Sequence, residues 1–146
     1  MGEKLQNLDR LCAEYGYQMA FQAWKALDKK NSDAENLITK SLGVLQEDGV
    51  YAFFLYLASQ IKPPEKGKEA KKSQAAQALA NRAVSLLSRD EVGLLQRDGA
   101  DDYKRAMEQI RAENGLASNL DNLLLAKRLL EKALIYARYH AKALEG

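Results

Sequence analysis

The chain holds one cysteine, Cys12, one histidine, His140, and two prolines, the adjacent pair Pro63-Pro64. A lone cysteine excludes an internal disulfide and fits a reducing cytoplasm. A lone cysteine with a lone histidine cannot build a zinc site of ordinary composition. The scarcity of proline removes the main interruption to helices. Long apolar runs are also missing: the greasiest stretch, Val50–Ala58, spans nine residues. That is about half of what a membrane crossing needs, and the first residues show no apolar signal core. A membrane location is not expected. Charge of one sign is absent too, since 22 Lys and Arg face 20 Asp and Glu for a net +2.

Chemistry is equally thin. None of the GxxxxGK[ST], GxGxxG, HExxH or GxSxG patterns occurs. Catalysis by a nucleophile needs a base and a group to orient it, and His140 stands alone amid apolar neighbours. It reads as a core or helix-end histidine, and Cys12 as a small hydrophobe on a core face. Asp101-Asp102 reads as a helix N-terminal pair rather than a metal site. The expectation is a chain that is not an enzyme, with no catalytic residues, no metal, no cofactor and no small-molecule substrate.

What is present is helix former. With 47% hydrophobic and 29% charged residues among 146, the chain has enough apolar mass for one core and too much for disorder. Ala, Leu, Glu, Gln, Lys and Arg dominate, so the fold class is all-α. The periodicity predicts a compact single-domain helical bundle, residues 1–146, of about five to six helices. The first runs from Leu5 to about Leu27. A second starts at Asp33, with Ser32 and Glu35 in capping-box form, shows Leu37, Ser41, Leu42, Val44 and Leu45 on its apolar face, and stops at Gly49. The run Val50–Ile61 is apolar on every side, which predicts a central helix near residues 50–61 buried all round. A strand is the rival, but nothing nearby offers a partner. Pro63-Pro64 closes that helix, and residues 62–72 read as a mobile basic loop. Ser73–Leu87 and Asp101–Ala112 are helical, and Ser118 with Asp121 opens a last helix from about Leu120 to Leu144.

The positive charge is concentrated. Residues 61–72 carry five lysines against two acids, and residues 123–146 carry Lys127, Arg128, Lys132, Arg138 and Lys142 against two acids. On the last helix these cations fall opposite the leucines, with Leu124, Ile135 and Tyr139 among them. Two readings stand side by side. Cations can neutralise phosphates while an aromatic stacks on a base or ribose, or the face is merely solvated. Lys40 and Lys62 are possible companions if the bundle gathers them.

Two blocks carry a resemblance. The first is Tyr17-Gln18-Met19-Ala20 followed by Lys40-Ser41-Leu42, Leu45, Gly49, Ala52-Phe53 and Ser59; the second is Leu123–Leu144 with Tyr136, Arg138 and Tyr139. In order and spacing the chain resembles the small subunit of type III-B CRISPR effector complexes, the Cmr small subunit family. The related small subunit of type III-A complexes stays open beside it, and Lys62–Leu116 falls outside the resemblance. The resemblance implies a non-catalytic helical subunit of an RNA-guided antiviral defence complex in a prokaryotic cytoplasm. Its partners would be other subunits of the complex, further copies of itself, and guide RNA and target RNA. Copies would stack side by side and hold the RNA backbone through basic side chains. Lys40 and Arg138 match basic positions of that family, and Lys127 shares a helical face with Arg138. Lys62, Tyr139 and Lys142 complete the expected RNA-binding set from the residue pattern. The alternative is a protein-only helical adaptor that docks through Leu124, Ile135 and Tyr139.

Overall fold

A computed structural model describes residues 2–61, 68–96 and 103–144. They form six α-helices, α1 (Gly2–Ala26), α2 (Asn31–Asp48), α3 (Val50–Gln60), α4 (Lys68–Ser88), α5 (Tyr103–Arg111) and α6 (Leu120–Ala143), with a 3-10 turn at Leu116–Ser118. The all-α bundle expected from composition is what the chain forms. Of the basic stretch read as a loop, Lys68–Lys72 instead belong to the first turns of α4. The remainder, 62–67, lies outside the described residues.

Helices α1 and α6 lie side by side and run parallel. Cys12 Sγ reaches the Leu129 carbonyl at 3.5 Å, and further along Tyr17 meets His140 edge to face with ring centres 5.4 Å apart. Their contact is close because the facing residues are small. A Cβ on Gly16 would sit 2.6 Å from the Ala133 carbonyl oxygen and 2.8 Å from Tyr136 Cβ. On its other flank α1 runs antiparallel to α4, tied by Arg82 Nη1 donating to Gln18 Oε1 at 3.0 Å and by an ion pair between Lys71 and Asp28. Helix α2 runs antiparallel to α6, with Glu35 beside Lys142 and Gln46 beside Lys127.

The turn between α2 and α3 rests on Gly49, whose φ of 96° lies where a side chain would strain the backbone. Its N–H closes α2 on the Leu45 carbonyl, and its carbonyl accepts the Phe53 N–H of α3. The apolar run then enters the core one-sidedly. Val50, Phe53, Phe54 and Leu57 are buried, and the two phenylalanine rings meet edge to face at 5.2 Å. Leu55 is 52% exposed, and Tyr51 and Tyr56 are half-buried. The expected burial on every side fails because α2, α4 and α5 cover only part of this helix. Helix α2 buries Ala34, Ile38, Ser41, Leu42 and Leu45, while Leu37 and Val44 are half-buried.

Two caps differ from the expected ones. Helix α2 begins two residues early, at Asn31, because that side chain is held by tertiary partners. Trp24 Nε1 donates to Asn31 Oδ1 at 2.9 Å, and Asn31 Nδ2 donates to the Leu144 carbonyl. Ser32 caps nothing. At α6 the cap is Asn119, whose Oδ1 accepts the Asn122 N–H at 3.1 Å, and Ser118 turns back to donate to the Gly115 carbonyl.

Candidate nucleic-acid interface

Helix α6 sorts its residues by face. Ala126, Leu129, Leu130, Ala133, Leu134, Ala137 and Ala141 are buried against α1 and α2. Asp121 in the first turn and Lys142 in the last oppose the helix dipole at each end. The other side meets solvent with an unusual share of large apolar groups. Tyr139 is 66% exposed and Leu124 49%, with Ile135 between them and Leu120 at the start of the helix.

The cations around that stripe divide by edge. On the α2 side, Lys127 Nζ donates to the Gln46 carbonyl at 3.1 Å, and Lys142 Nζ lies 3.5 Å from Glu35 Oε1. Arg138 sits between them on the same side of α6, half-buried, and its Nε is buried without a hydrogen-bond partner. Lys142 Nζ also stands 6.0 Å from the centre of the Tyr139 ring. On the α1 side, Lys132 pairs with Asp9 at 2.6 Å, and the Tyr136 hydroxyl donates to the same carboxylate at 2.7 Å. The hydrogen bonds from Lys132 and then Tyr136 hold the Asp9 carboxyl below its usual range, and Asp9 in turn raises Lys132 and Tyr136.

The structure therefore brings Lys127, Arg138, Lys142 and Tyr139 together along one helix. It does not bring Lys40 to them. Lys40 lines a separate cleft with Tyr56 and Gln60 of α3 and Lys72 of α4. Lys62 lies outside the described residues. Arg128, exposed on α6 and lining a groove with Leu124, Lys127 and Glu131, belongs beside the expected set. Its signal was its place one turn from Leu124.

Cys12 is fully buried, and burial pushes its thiol up to about 11. His140 is half-buried near the end of α6 with its ring against Tyr17. Among the described residues no three His, Cys, Asp or Glu side chains converge on a metal-sized point, and no helix is long and apolar enough to cross a membrane.

The fold and this face define a helical bundle that presents a cationic, aromatic-bearing edge. No protein-family profile, curated protein or solved structure matches the chain.

Proposed function

We propose that the chain is a non-catalytic structural subunit of a type III CRISPR RNA-guided interference complex, of the type III-B small-subunit kind, acting in antiviral defence in a prokaryotic cytoplasm. Copies stack beside one another and beside other subunits. Each lays the Lys127–Arg138–Lys142 edge of α6 along the backbone of guide or target RNA, with Tyr139 beside the ribose or base. The observation that carries this reading is the exposed stripe of α6, where an aromatic that is 66% exposed stands beside Lys142 on the helix side that also carries Lys127 and Arg138. The partners of those cations inside the bundle are weak: a surface carbonyl for Lys127 and a 3.5 Å contact for Lys142. Such exposed pairs are worth about 0–1 kcal/mol and exchange readily for phosphate.

Few phosphate contacts per copy give a small electrostatic term, so the isolated subunit binds RNA weakly and loses it as salt rises. The triple substitution Lys127→Ala, Arg138→Ala, Lys142→Ala lowers target-RNA retention by the assembled complex while leaving the helical content intact. Full retention by the triple variant would sink the proposal.

A second reading is favoured by one observation. Leu124, Ile135 and Tyr139 are exposed apolar groups, whereas Lys127, Lys132 and Lys142 all have partners within the chain. A protein-only adaptor would use that stripe for docking. Assemblies purified through this chain then carry no nucleic-acid absorbance, and Tyr139→Ala dissolves them without any dependence on salt.

A further inference from the structure

The cleft that takes Lys40 away from α6 has its own chemistry. It is a cavity of about 150 Å³ where α2, α3 and α4 meet. Lys40 enters from α2 and Lys72 from α4, on different walls. Among the described residues neither amine has a hydrogen bond or an ion pair, although Lys71, one residue earlier, is paired with Asp28. Tyr56 also lines the cavity, and among the described residues its hydroxyl has no partner. Burial raises its pKa, so it remains a donor at neutral pH. Leu27 and Leu37 supply an apolar surface, and Asp33 contributes one acceptor. A second cavity of about 110 Å³ shares Leu27, Asp33 and Lys72 with the first.

Two unneutralised ammonium groups and a phenol donor around one small cavity call for an anion with several acceptor oxygens. The carboxylate beside them disfavours a ligand that is anionic throughout, and accepts hydrogen bonds from hydroxyls. A cavity of about 150 Å³ is benzene-sized, so it takes the phosphate of such a ligand and leaves the larger remainder at its mouth. We propose that this cleft binds a mononucleotide, its phosphate between Lys40 and Lys72 and its ribose hydroxyls toward Asp33. This goes beyond RNA contact by α6 and does not depend on it.

The test is a titration of the purified chain with AMP, ribose 5-phosphate and adenosine, followed by the amide NMR shifts of α2 and α3. AMP and ribose 5-phosphate shift residues around Leu37 and Tyr56, and adenosine binds about tenfold more weakly or less, as expected for loss of a charged hydrogen-bonded group. Lys40→Met and Lys72→Met each weaken AMP about tenfold. Lys71→Met, which removes the paired neighbour, changes it less than about twofold. The Lys127→Ala, Arg138→Ala, Lys142→Ala variant keeps AMP binding, which separates this site from the α6 edge. Three results overturn the proposal: no shift with AMP up to about 5 mM, equal binding of adenosine, or full binding by the Lys40→Met, Lys72→Met double variant.

Discussion

Single side chains join parts of this bundle that are far apart in sequence. Asn31 accepts from Trp24 at the end of α1 and donates to Leu144, the residue that follows α6. Asn31→Ala strands both partners, and the expected cost is about 1–3 kcal/mol in urea unfolding. Asp9 accepts from Lys132 and Tyr136. Its carboxyl is depressed in the folded state, so the unfolded chain binds more protons as pH falls through the ordinary value of 3.8. The stabilisation is present above that value and is lost as pH falls through the lower folded pKa. Asp9→Asn therefore flattens the acid limb of stability against pH, measured as urea midpoints from pH 5 downward. Cys12, with its thiol near 11 and no exposure, is expected to ignore a disulfide reagent at pH 8 until the chain unfolds. Rapid labelling of the native chain would show that α1 and α6 part readily.

At the scale of the helix, two glycines inside helices make opposite predictions. Gly16 lies where α1 touches α6, and an added methyl meets backbone oxygen at 2.6 Å. Gly16→Ala is expected to destabilise by about 1–3 kcal/mol through overpacking. Gly43, within α2, has nothing within 4 Å of an added Cβ. Gly43→Ala is expected to stabilise by about 0.5–1 kcal/mol by lowering the entropy lost on folding. Thermal unfolding of the two variants checks both signs. The helices themselves were legible in the sequence, because Gly49 and the leucine and alanine spacing mark them. The caps were not. Ser32 and Ser118 carry the local signal, but Asn31 and Asn119 occupy the starts, the first because Trp24 and Leu144 hold it. The close approach at Gly16 leaves no trace in a helical wheel, since it depends on which residues of α6 face it. The same limit explains Leu55: a run that is apolar all round tells that a helix is core-forming, but not which neighbours leave one side open.

Over the whole molecule, the candidate site was half legible. The wheel of the last helix separates Arg138, Tyr139 and Lys142 from the leucines, and the structure keeps Tyr139 and Lys142 exposed with Arg138 half-buried between Lys127 and Lys142. The partners that engage Lys127, Lys132 and Lys142 come from Gln46, Asp9 and Glu35, at sequence distances no local pattern reaches. Lys40 shows the other half of the lesson. Its turn of α2 faces α3 and α4, so the bundle assigns it to a cleft with Lys72 instead of to the α6 edge. The central claim is that the α6 edge holds RNA within an assembly. It is tested most directly by measuring target-RNA retention by the assembled complex against salt, for the natural chain and for the Lys127→Ala, Arg138→Ala, Lys142→Ala variant. The account predicts weaker retention by the variant and a salt dependence shallower by up to about one unit of log–log slope per cation removed from each copy. Retention and slope identical to those of the natural chain, with the fold intact, would contradict it.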